Sequence, residues 1–168
     1  NLIMERVGAR RWIARIMITW GIISSLMMFI NSEITFYVMR FLLGVAEAGF
    51  FPGMILYLTY WFPAKDRARA VSRFMTATPL AGAFGGPLSG AILQWMNGSG
   101  GLKNWQWLFL LEGLPSFILG FAVLIYLKDG PHQASWLSDE EKSWLQTRLD
   151  KETDRKKAKK HMSVGEAF

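Results

Sequence analysis

The chain has 168 residues, 51% of them hydrophobic, with 19 Lys and Arg against 13 Asp and Glu for a formal net charge of +6. It has no Cys, which excludes a disulfide framework and any thiolate metal site, and its long apolar blocks are foreign to a soluble domain. The basic balance fits nucleic acid only if the charges cluster into a binding face, so their placement decides.

In chain order, the first segment is Leu2-Ile-Met-Glu5-Arg6-Val-Gly8-Ala-Arg10-Arg11, which packs one acid, three Arg and a glycine into a short turn. Asn1 is not an initiator, and we read the chain as a fragment. No signal peptide is visible, because the basic start leads straight into a span of full membrane length. A helix needs about 20 mostly apolar residues to cross a bilayer. Four segments meet that need: Trp12–Ile30, Ile34–Phe62, Ala70–Met96 and Trp105–Leu127. The second is longer than necessary and ends in Tyr57, Tyr60, Trp61 and Phe62, an interfacial aromatic belt.

Within that second span stand Arg40 and Glu47. A charge near the bilayer centre costs roughly 2.5–3.5 kcal/mol even on lenient scales, so such residues pair, line a cavity or carry an ion. Seven residues is about two helical turns, which puts both side chains on nearly one face about 10 Å apart along the axis. A static ion pair that fixes helix packing is the alternative reading.

The third span reads Thr76-Ala-Thr78-Pro79-Leu-Ala-Gly82-Ala-Phe-Gly-Gly86-Pro87-Leu-Ser-Gly90. Gly82, Gly86 and Gly90 make a smooth groove for close helix approach, and Pro79 and Pro87 permit bending. The hydroxyls of Thr76 and Thr78 are candidates to face a central cavity and bind a carboxylate or hydroxyl. Glu112, in the fourth span, is expected to be hydrogen-bonded or near headgroups rather than to move a proton. After Lys128 comes a polar tail, residues 129–168. In it Ser138-Asp-Glu-Glu141 forms a capping box. Trp144, Leu145 and Leu149 then recur on one face of an amphipathic helix expected over 138–151. The basic run Arg155–Lys160 suits either anionic headgroups or a solvated linker.

The basic residues sort by connection. Arg6, Arg10, Arg11 and Arg15 precede the first span, Lys65, Arg67, Arg69 and Arg73 surround the second link, and the tail is rich in Lys and Arg. The intervening loops hold only Lys103. The positive-inside rule then puts both chain ends and the 63–69 link in the cytoplasm, and this explains the charge better than nucleic acid does. Both His lie in the tail, so no metal-ligand cluster exists; there is no Gly-rich phosphate loop and no Ser/His/Asp arrangement.

The order of residues in the opening segment resembles the signature loop between the second and third helices of major facilitator superfamily transporters, written Gly-x-x-x-Asp-Arg-x-Gly-Arg-Arg. Glu5 stands at the Asp position, Arg6 at the first Arg, Gly8 at the inner Gly, and Arg10 and Arg11 at the basic end; Asn1 replaces the initial Gly. The Arg40–Pro52 segment, the link Phe62–Arg69 and the tail Trp136–Lys142 are similar to bacterial members of the anion:cation symporter family within that superfamily. The resemblance implies an all-α membrane protein, with these four spans as helices three to six of a twelve-helix fold, in its N-terminal half, and the tail as the central cytoplasmic linker. It implies that the loop residues act as a conformational switch. It also implies that Glu47 carries the coupled ion and that Arg40 pairs with it or with another acid. The ion is H+, with Na+ as the alternative.

The expected protein is a multi-pass inner-membrane transporter, not an enzyme. It takes up a small organic anion such as a sugar acid, a tartrate-like dicarboxylate or an aromatic carboxylate. Its partners are that anion, the lipid bilayer and the remaining helices, without nucleic acid, cofactor or metal. A membrane anchor for an enzyme or sensor is the alternative.

Overall fold

The computed structural model describes residues 2–165, and the side chains of Met4 and residues 6–154. Within them the chain is helix and turn without strands. Helix α1 (Leu2–Val7) meets α2 (Ala9–Leu26) at Gly8, whose φ of +92° is a conformation that only glycine adopts cheaply. A 3-10 turn over Met27–Phe29 ends α2. Ser32 then caps α3 (Glu33–Glu47), its Oγ accepting from the Thr35 N–H at 3.2 Å. Helix α4 (Phe50–Trp61) follows after Ala48-Gly49, α5 (Ala64–Met75) after Pro63, and α6 (Ala77–Trp95) directly after Thr76. A glycine loop leads to α7 (Asn104–Tyr126), and α8 (Asp139–Gly165) closes the chain.

Three stretches are long and apolar enough to cross a membrane: Ala9–Phe29, Glu33–Trp61 and Asn104–Tyr126. The segment expected as a single third span, 70–96, carries a one-residue interruption at Thr76 between the polar α5 and the apolar α6, across which the Thr76 N–H still donates to Ser72 O at 3.2 Å. The 19 residues of α6 amount to about 28 Å of helix, close to the hydrocarbon thickness. Its glycines and two prolines dilute the apolar content that the other spans carry. The amphipathic helix expected to end near Lys151 runs on to Gly165, because the Lys, Arg, Glu and Ala of that stretch are good helix formers.

The seam between α2 and α7 holds the molecule together. Gln106 Nε2 donates to the Met28 carbonyl at 2.8 Å at one end, and Asp129 Oδ1 accepts from the Arg10 N–H at 2.8 Å at the other, so the helices run antiparallel. Between those ends their backbones nearly touch. A Cβ at Gly21 would lie 2.5 Å from Phe117 N, one at Gly113 2.6 Å from Ser25 Oγ, and one at Gly120 2.5 Å from Ile18 Cγ1. Buried Ser116 fills the gap between these glycines and donates to the Met17 carbonyl at 3.3 Å. Without water to expel inside a bilayer, helices associate by this kind of small-residue contact. A second cluster of Met4, Ala9 and Ile13 sits at the end where α1, α2 and α4 meet. Few large apolar side chains are buried elsewhere; Phe41, Phe84 and Trp95 are each more than 70% exposed. An apolar surface of that extent belongs against lipid or further helices.

Candidate functional site

The α3–α4 stretch is one 29-residue apolar run broken at Ala48-Gly49, immediately after Glu47. The break is shallow: the Ala48 N–H still donates to Gly44 O at 3.0 Å, and Gly53 N–H to Gly49 O at 3.1 Å. Gly49 and Gly53 press on the Trp12 indole, where added Cβ atoms would lie 3.0 and 3.3 Å from its ring. That contact fixes which side of α4 faces α2. By helical periodicity, Glu47 and Arg40 lie on the opposite side. Both are exposed, and α3 buries none of its residues. The Arg40 guanidinium lies over the Phe36 ring at 5.7 Å.

The ion pairs among the described residues are Arg67–Glu152 and Lys142–Asp139. Arg40 and Glu47 therefore do not pair with each other, since two helical turns separate them by about 10 Å. What the fold brings together is an acid and a base on one open face of a membrane span, with a helix break beside the acid.

The signature loop is built at the start of α2, about one turn before Trp12. Gly8 turns the chain while its N–H donates to Met4 O at 2.9 Å. Met4 is fully buried, Arg10 is half-buried, and Arg6 and Arg11 point outward. The Glu5 side chain lies outside the described residues. Arg15 stacks over Trp12 at 4.3 Å. Two carboxylates from the tail reach back to this end. Asp129 caps α2 as described above. Glu152 Oε2 accepts from the Ala64 N–H at 2.6 Å, and its Oε1 takes Arg67 Nη2 at 3.1 Å. Neither α2 nor α5 has a capping side chain of its own, so residues from the tail satisfy their orphan N–H groups.

The remaining candidates are dispersed. The Thr76 hydroxyl donates to the Arg73 carbonyl at 2.6 Å, closing α5, while Thr78 is exposed on α6. Among the described residues a Cβ at Gly82, Gly86 or Gly90 would meet no neighbouring atom within 4 Å, and Pro87 sits inside α6 beside them. The close helix contact within the described residues is made by Gly21, Gly113 and Gly120, which the sequence reading did not single out. The signal was there: small residues recur at Gly113, Ser116 and Gly120 and at Gly21 and Ser25, spaced by three or four. Glu112 is hydrogen-bonded, its Oε1 accepting from Ser89 Oγ at 2.5 Å across α6 and α7. The tail capping box closes as read: Glu141 N–H donates to Ser138 Oγ at 3.2 Å, and Ser138 N–H to Glu141 Oε2 at 2.9 Å. Among the described residues no group of three or more His, Asp and Glu could hold a metal ion.

A family profile described as Major Facilitator Superfamily matches residues 1–165. The chain is 57% identical over 145 residues to a protein of Agrobacterium vitis named "Putative tartrate transporter", covering 86% of this chain and 32% of that protein. It is 43% identical over 152 residues to the "Quinolone resistance transporter" of Acinetobacter baumannii, covering 90% of this chain and 35% of the relative. To the "Inner membrane transport protein RhmT" of Escherichia coli (strain K12) it is 42% identical over 156 residues, covering 93% and 36%. The chain thus spans about a third of the length of these relatives.

Proposed function

This chain belongs to the Major Facilitator Superfamily, and we propose that it is part of a secondary transporter that takes up a small organic anion with a proton. The observation that carries this reading is the Arg40–Glu47 face. An acid and a base stand in one apolar span, turned away from the α2 contact. At such a depth a charged carboxylate is costly, so a carboxyl there invites a proton, a cation or a paired guanidinium. Glu47 takes the coupled proton. Arg40, unpaired with Glu47 within this chain, offers a guanidinium to a carboxylate of the substrate or of another helix.

The turn at Ala48-Gly49 gives the span a place to flex beside the acid, so that a motion of α3 against α4 changes what Glu47 faces. Alternating access around a site near the midplane is the general form of such a cycle. In this reading the four spans are helices three to six, and the tail is the linker between two six-helix halves in an inner membrane. The substrate class is a sugar acid, a tartrate-like dicarboxylate or an aromatic carboxylate; the names of the tartrate relatives support the second. The exposed Thr78 and the face of α6 carrying Gly82, Gly86 and Gly90 are proposed to meet helices outside this chain.

The test uses the full-length protein in vesicles with an imposed pH gradient. Glu47→Gln should abolish pH-driven accumulation of the organic acid while substrate exchange persists. Unchanged proton-driven accumulation in that variant overturns the role given to Glu47. Accumulation that follows a sodium gradient instead would replace the proton with Na+. The name of the quinolone-resistance relative supports a second reading, export, which the sign of the response to the same gradient separates from uptake.

A further inference from the structure

A second recess lies at the end of the molecule where the tail folds back. On α5, Asp66, Arg69 and Arg73 recur at the three- and four-residue spacing that places them on one face. That face, the end of α4 and the start of α8 enclose a cavity of about 530 Å³. Its walls divide by chemistry. Leu58, Trp61, Phe62, Trp144 and Leu145 form an apolar side, while Asp66, Arg69 and Arg73 form a charged edge of net +1. Trp61 stacks on Trp136 with centroids 5.8 Å apart and planes at 11°, which holds the tail over the recess.

Arg69 and Arg73 are about one helical turn apart, roughly 6 Å along the axis. Among the described residues, neither makes an ion pair or a side-chain hydrogen bond. The adjoining rim is mixed: Arg148, over Trp144 at 5.0 Å, and Lys151 follow Trp144 on α8, and Glu140 and Glu141 precede it, so the cationic edge that faces the apolar wall is Arg69 and Arg73. Trp61 is the last residue of the apolar Glu33–Trp61 run, so the cavity lies where hydrocarbon gives way to headgroups.

We propose that this recess binds an anionic phospholipid, its phosphate on Arg69 and Arg73 and the first acyl methylenes against Leu58, Phe62 and Trp144. A guanidinium is the side chain best matched to phosphate geometry, and tryptophans favour the interface. Zwitterionic lipids lack the net charge the edge selects, and a free phosphate would leave the apolar wall uncovered. The site rests on the membrane-spanning reading of α4 and is independent of whether Glu47 carries a proton.

Native mass spectrometry of the detergent-purified full-length protein, titrated with phosphatidylglycerol or phosphatidylcholine, tests it. Phosphatidylglycerol should be retained in preference. At about 1 kcal/mol for each basic residue facing an anionic lipid, R69Q/R73Q should weaken that retention about twenty- to thirty-fold, and R69K/R73K by only a few-fold. Equal retention of the two lipids overturns the proposal, as does undiminished binding in R69Q/R73Q. A lysine variant as defective as the glutamine one would show that charge is not what binds, with the same consequence. Displacement of the lipid by millimolar inorganic phosphate would reassign the edge to soluble anions and also reject it.

Discussion

Gly21 shows how much one residue decides in this protein. A methyl group there would sit 2.5 Å from Phe117 N, a backbone atom that can retreat only by moving α7. Gly21→Ala should therefore cost about 2–3 kcal/mol, the upper part of the range for overpacked sites. The measurement is the thermal unfolding midpoint of the purified full-length protein. Gly113→Ala should behave alike, since its Cβ would lie 2.8 Å from Ser25 N. A variant as stable as the parent at both positions would mean that the two helices are not in contact. These glycines escaped the sequence reading for a physical reason. A glycine that admits a neighbouring backbone and one that merely interrupts an apolar run have the same composition, and only the approach of the second helix separates them. The charged positions were legible for the opposite reason, because any ionisable residue inside a span is conspicuous by its cost.

Element boundaries followed the same division. Apolar runs mark spans by length alone, so α2, α3–α4 and α7 could be placed from the sequence. The break after Glu47 is carried by Ala48-Gly49, which looks like any small pair within a helix, and the interruption of the third span rests on Thr76 closing α5. Least legible was the tail's grip on helix starts elsewhere, because residues 119 and 88 positions apart in the chain share those bonds. Both contacts are acid-to-N–H caps, and a lost cap costs about 0.5–2 kcal/mol. Asp129→Ala should therefore lower stability by about 1 kcal/mol. Gly8→Ala should cost more, since it adds a side chain at positive φ with its Cβ 3.1 Å from Asp129 Oδ1. Chemical denaturation of the two single variants and the double checks this. Strict additivity would show that the residues do not share one contact.

At the scale of the whole molecule, two sets of hydrogen bonds tie helix ends together among the described residues, one at each end. One end gathers the Arg10–Asp129 and Ala64–Glu152 bonds and the Tyr57 hydroxyl on Lys128 O at 3.0 Å. The opposite end holds Gln106 on Met28, Asn104 Nδ2 on Leu93 O at 3.1 Å and Trp107 Nε1 on Ser99 O at 2.9 Å. The first end carries Arg6, Arg10, Arg11, Lys65 and Arg67, and the second only Lys103. The fold thus concentrates on one side the basic residues that the sequence had already sorted by loop, and the positive-inside rule predicts that this side faces the cytoplasm. Because this chain has no Cys, single cysteines can report the assignment in a full-length protein freed of any others. Lys65 and Ser99 are both exposed and stand at opposite ends. In intact cells a membrane-impermeant maleimide should label Ser99→Cys and leave Lys65→Cys untouched until the membrane is opened. The reverse pattern would invert the topology. It would also move the Arg69–Arg73 recess to the outer leaflet and turn the Arg40–Glu47 face end for end with respect to the gradient that drives it.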